Sequence, residues 1–128
     1  MAKCKLLAFL LCEKATAAPK PDNVVTLHHV FDRIAIPKTP DLIFAYYKIV
    51  VVEPCVVALR VVDPLHREIR RNWRHSRDQV GPVQGLWALY TGDFEEPGTY
   101  ILELDEVTDD SEPRPLATMH LAVEQEAG

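Results

Sequence analysis

Serine, glycine and cysteine are all scarce in this chain of 128 residues, and each scarcity removes a class of chemistry. The two serines, Ser76 and Ser111, stand in polar, loop-like surroundings with no Gly-x-Ser-x-Gly elbow. The five glycines form no phosphate-cradling loop. Three cysteines are a poor disulfide framework, and none has the Cys-x-x-Cys or Cys/His spacing of a zinc site. Cys4 and Cys12 would stand about 26 Å apart on one strand, far beyond disulfide reach. The three read as buried thiols in a reducing compartment. No apolar run approaches the roughly 18–20 residues that span a bilayer. Positive charge is also short: 14 Lys and Arg face 19 Asp and Glu, which argues against a protein built to coat nucleic acid.

What is present is a globular composition, 48% hydrophobic and 26% charged, at the length of a single domain covering residues 1–128. Ten prolines divide it into short β-type segments joined by stiff turns. Strands are expected at 3–13, 24–34, 42–52 and 55–62, the last two strongly β-prone. Alternation is cleaner later. Leu86, Ala88 and Tyr90 oppose Trp87 and Leu89, then Tyr100, Leu102 and Leu104 oppose Glu103 and Asp105. Ala117, Met119, Leu121 and Val123 form a last inward stripe. Seven or eight such strands without helix–strand alternation predict an all-β, mostly antiparallel two-sheet sandwich. Its core is expected from Leu6, Ala8, Leu10, Leu27, Phe31, Val57, Leu59, Leu89, Leu102 and Leu121. Loops are expected at 18–23 and 109–113, and a frayed end at 124–128.

Residues 64–78 admit two readings. Asp63-Pro64 makes a good helix N-cap and first position, with Leu65, Ile69 and Trp73 recurring on one helical face. As a hairpin, the segment places Ile69, Arg71 and Trp73 on one side. It also gives the strand at Val56–Val62 a neighbour for its backbone groups.

Val30-Phe31-Asp32-Arg33-Ile34 followed by Pro37 and Pro40 resembles a "GIFDRI…P…P" signature. Leu59-Arg60-Val61-Val62-Asp63-Pro64 with Arg67-Glu68-Ile69 resembles an "LRLVDPDGREL" hairpin, and Glu95-Glu96-Pro97-Gly98-Thr99-Tyr100 resembles "PEPGEYRFEL". Over roughly residues 5–123 the chain is similar to an uncharacterised bacterial family of small single-domain proteins. The resemblance implies a β-sandwich, favours the hairpin at 64–78, and supplies no activity, cofactor or catalytic residue. His29 stands where that pattern often has Gly, and Leu65-His66 where it usually has Asp-Gly.

His28-His29-x-x-Asp32 is the nearest approach to a metal motif, but on a strand His28 and Asp32 stand about 13 Å apart, too far to share an ion. No metal, cofactor or catalytic group is expected. The Arg-rich strip at 66–78 is the sharpest feature. Arg67, Arg70, Arg71, Arg74 and Arg77 face only Glu68 and Asp78, with Trp73 and His75 interleaved. Arginines beside an exposed indole would suit a partner surface or a nucleic-acid base. As a plain edge strand, they would instead block sheet-to-sheet aggregation. Residues 93–128 hold eleven acidic residues and one Arg, whereas residues 1–92 carry a net positive charge of five. The expectation is a non-catalytic binding module for a protein partner or its own copy, through Arg67, Arg70, Arg71, Trp73, Arg74 and Arg77. A nucleic-acid accessory role for the same strip is the alternative, which the acidic C-terminal third opposes. The cytoplasm is the expected setting. Lys3 and Lys5, the run from Leu6 to Leu11 and Ala15-Thr16-Ala17 leave export after cleavage near residue 18 as the other reading.

Overall fold

The computed structural model describes residues 2–17, 25–36, 41–107 and 113–125. The expected loop at 18–23, the Pro37 and Pro40 bracket, most of the loop at 109–113 and the last three residues lie outside them. The four-stranded sheet contains β1 (Cys4–Ala17), β2 (Val25–Phe31), β4 (Leu42–Val51) and β8 (Gly81–Tyr90), in the order β2-β1-β4-β8. The six-stranded sheet contains β3 (Arg33–Ile36), β5 (Cys55–Val62), β6 (Glu68–Ile69), β7 (Arg74–Arg77), β9 (Gly98–Val107) and β10 (Arg114–Gln125). Its order is β3-β10-β9-β5, with β6 and β7 following one another along the free edge of β5. All pairings are antiparallel except β3 on β10.

The all-β sandwich is therefore as expected, but two of its strands break. The strand expected at 24–34 changes sheet at Asp32. There the main-chain carbonyl of Asp32 accepts from the Ala122 amide at 2.9 Å, and the chain continues as β3 beside β10. Residues 64–78 are not helical. They form a hairpin return whose pairing shifts between Val61 opposite Ile69 and Ala58 opposite Arg74, so that residues 70–73 stand opposite only Leu59 and Arg60. Backbone satisfaction decides against the helix, because only a strand supplies partners for the free edge of β5.

The core lies between the sheets. Ile43, Ala45, Tyr47, Ile49 and Val51 of β4 and Trp87 and Leu89 of β8 face Val57, Leu59 and Val61 of β5, Tyr100, Leu102 and Leu104 of β9, and Leu121 and Val123 of β10. Strict alternation puts the later strands where their pattern requires. The first strand departs from it. Its pairing with β4 slips by one residue between Leu6 and Ala8, and a one-residue slip exchanges the faces of everything beyond it. Ala8 and Leu10 consequently point outward, and Phe9 and Leu11 pack into the core. Leu6 stays inward in register yet is 36% exposed, since β2 pairs with β1 only from Leu11 onward. Leu27 and Phe31 are half-buried.

Among the described residues, two that are not glycine have left-handed backbone, His29 at φ 56° and His66 at φ 65°. Glycine is the residue for which that conformation costs least. In the turn around His66, the Asp63 side chain takes the amides of Leu65 and Arg67 and the Arg67 guanidinium. Partial burial opposes ionisation of Asp63, but these donors hold its carboxyl below the usual carboxylate range. In the adjacent turn, the Tyr100 phenol donates to the Glu96 carbonyl and accepts from its amide, clamping the Glu95–Gly98 turn.

Candidate interaction surface

Alternation along β7 points Trp73, His75 and Arg77 inward, toward the open side of the sandwich beside β8. Trp73 is only 9% exposed and belongs to the core, and its indole N–H donates to the Ala88 carbonyl at 3.3 Å. Arg77 donates to the Gln84 carbonyl and, through Nε and Nη2, to the Tyr47 phenol. Both carbonyls belong to β8, the edge strand of its sheet. Side chains from one sheet's edge thus satisfy the edge of the other and close the sandwich. Trp73 as an exposed stacking platform is corrected accordingly: its ring fills the gap between the sheets.

The remaining arginines divide. Arg71 pairs with Asp93 at 2.6 Å, and Arg67 pairs with Asp63 and approaches Glu96. Only Arg70 and Arg74 are exposed with no ion pair among the described contacts. Two of the strip's five arginines are thus ion-paired within the chain, and Arg77 is held by neutral acceptors.

Behind Arg77 lies a polar-aromatic cluster that the sequence pattern did not reveal, because its members come from three strands. The Tyr47 hydroxyl accepts from Arg77 and donates to His75 Nδ1 at 2.6 Å. The imidazole stacks on Trp87 with ring centroids 4.7 Å apart. Burial and Arg77 lower the His75 pKa, which keeps the ring neutral and able to accept. Burial pushes the Tyr47 phenol up, with Arg77 pulling only partly against it. Tyr47 is fully buried. The cluster is a structural network with a poor acid at its centre. His28 bonds Thr16 at 3.2 Å, and no group of three His, Cys, Asp or Glu among the described residues is placed to hold a metal ion.

The two outer faces differ in character. On the six-stranded sheet the outward positions mix Arg60, Glu103, Thr118, His120 and Glu124 with the half-buried Val56, Val62 and Ile101 and the buried Asp105, a surface that carries both charges. Burial and the neighbouring Glu103 carboxyl push Asp105 up to about 7, against Arg60. On the four-stranded sheet, the outward positions of β1, β2, β4 and β8 include Leu10, Val30, Leu42, Phe44, Leu86 and Tyr90. Val30 and Tyr90 are each 52% exposed, Leu42 40% and Leu10 38%. Tyr46 lies among them, its phenol donating to Gln84 at 2.6 Å, and Cys12 sits between Val30 and Phe44. The charges on this face are Lys5, Lys14 and Lys48, and its described strand positions hold no Asp or Glu.

The β1 slip sets which of its side chains reach this face, Ala8, Leu10 and Cys12 rather than Leu7, Phe9 and Leu11, so an alternation count along the first strand alone assigns them to the wrong sides. With four strands about 4.8 Å apart and ten residues along β4, the face measures about 19 by 33 Å, roughly 600 Å² in projection. That footprint, lysines and other polar positions included, approaches one side of a standard interface.

No helix among the described residues is long and apolar enough to cross a membrane. No protein-family model matches this chain, and no curated protein is similar to it.

Proposed function

We propose that this chain is a non-catalytic β-sandwich module whose four-stranded sheet docks a protein partner through its outer face. The carrying observation is the asymmetry between the two faces: one carries charges of both signs and, among its described strand positions, no exposed large apolar side chain, the other exposes Leu10, Val30, Leu42 and Tyr90 with lysines as its charges. The complementary partner presents an apolar stripe flanked by carboxylates. A second copy meeting it face to face would set Lys5, Lys14 and Lys48 near the same lysines, a like-charge cost that favours a different partner. The proposed setting is a reducing compartment, on the strength of three free, buried thiols. Nucleic-acid binding through the arginine strip loses support because Trp73 is in the core and Arg67, Arg71 and Arg77 are engaged.

A synthetic amphipathic helix with a leucine stripe flanked by glutamates is a suitable probe. Titrated into the labelled protein, it should shift the amides of Leu10, Val30, Phe44 and Tyr90, and Val30→Asp with Tyr90→Asp should abolish the response. A lysine-flanked version of the peptide should not bind. Shifts centred on Arg70 and Arg74, no shifts, or equal binding of both peptides would overturn the reading. A micromolar dimer burying the same face would transfer it to a second copy.

A further inference from the structure

Two of the three cysteines meet across the sandwich. Cys4 opens β1 in one sheet and Cys55 opens β5 in the other. The Lys3 carbonyl accepts the Val52 amide at 2.8 Å and the Glu53 amide at 3.1 Å, wrapping the β4–β5 turn around the start of β1. Both cysteines are buried in the one core cluster, on strands that this turn brings together. Glu106 lies beneath them. Its Oε1 accepts from the Cys4 amide at 2.9 Å and from the Cys4 thiol at 3.3 Å, and Arg114 anchors the carboxylate. Cys55, though buried, also lines a shallow surface pocket with Lys3, Pro54, Val56, Ser76, Asp78 and Val107.

We propose that Cys4 and Cys55 form an oxidation site, closing an inter-sheet disulfide by exchange with a small-molecule disulfide. The Cys55 thiolate attacks one sulfur of the reagent and expels the other half as a thiolate, leaving a mixed disulfide on Cys55. The Cys4 thiolate then attacks the Cys55 sulfur and expels the second half. The two protein protons end on the two released thiols, and that of Cys4 leaves along its hydrogen bond to Glu106. The protein thiols are oxidised and the reagent is reduced by the same two electrons. In a reducing compartment the pair stays open, and it closes when the thiol–disulfide balance turns oxidising.

Burial raises both thiols, Cys4 further through Glu106, so the thiolates are scarce at neutral pH and the exchange is slow. Its rate should climb with pH. Cys12, also fully buried but eight residues along β1, has neither a thiol neighbour nor the pocket and serves as an internal control.

The test is to equilibrate the full chain with oxidised and reduced glutathione at rising ratio, then count free thiols and map the peptides. The free thiols should fall from three to one, with a linked peptide joining residues 4 and 55 and Cys12 still free. Closing a loop of about 50 residues should raise the thermal midpoint by the order of 10 °C. Cys12→Ser should leave the linkage intact, and Cys4→Ser or Cys55→Ser should remove it. Three free thiols in the folded wild-type protein at every ratio would overturn the proposal, as would mixed disulfides that never resolve or a linkage through Cys12. The wild-type peptide map decides the matter even if a serine variant fails to fold.

Discussion

Replacing His66 by glycine should stabilise this protein, although the change deletes a side chain and adds no contact. His66 sits at φ 65° in the β5–β6 turn, with its side chain exposed. The turn is held by the Asp63 carboxylate and by the His66 amide donating to the Asp63 carbonyl at 3.0 Å, all of which glycine retains. Left-handed backbone costs an L-residue about 1–2 kcal/mol. Glycine escapes that but loses about 0.5–1 kcal/mol more conformational entropy on folding. The net gain is about 0.5–1 kcal/mol. In urea, at a slope of about 1.5 kcal/mol/M, the unfolding midpoint should rise by about 0.3–0.7 M with the slope unchanged. His66→Ala keeps the Cβ and should gain nothing. An unchanged or lower midpoint for His66→Gly, or an equal gain for His66→Ala, would refute the backbone argument.

Three further outcomes follow from other parts of the fold. Gly85→Ala should destabilise by about 1–3 kcal/mol, because the Tyr47 phenol and Arg77 guanidinium lie directly over the Gly85 Cα; a midpoint within error of wild type would place those groups elsewhere. Tyr47→Phe removes the buried acceptor of Arg77 and the donor to His75, leaving the His75 Nδ1 and an Arg77 N–H unpartnered, and should cost about 1–3 kcal/mol by chemical denaturation. Asp105 has its carboxyl raised chiefly by burial and by Glu103, so its stabilising contribution is full below about pH 4 and is lost as pH rises through about 7. Asp105→Asn should therefore gain on wild type progressively between pH 4 and 8 in parallel unfolding series, and a constant difference across that window would contradict the assignment.

Sequence alone determined the class of this fold, because period-two alternation and turn chemistry are local properties. Tyr100, Leu102 and Leu104, or Leu121 and Val123, read the same in the chain as in the core. At 64–78 the chain by itself left helix and hairpin open, and the pairing along β5 decided for strands. Tertiary structure decided the rest through three non-local events. A one-residue slip against β4 turned Leu10 outward in place of Phe9 and Leu11, and only the partner strand's register reveals such a slip. The break at Asp32 moved β3 into the other sheet, where β10 rather than β1 supplies its partner. Finally, Trp73 and Arg77 found their acceptors on β8 in the opposite sheet. A strip that reads as surface charge along the chain thereby became the seam that closes the sandwich. Charge and aromatic content are written in the sequence, but whether they face solvent depends on which edges the sheets leave open.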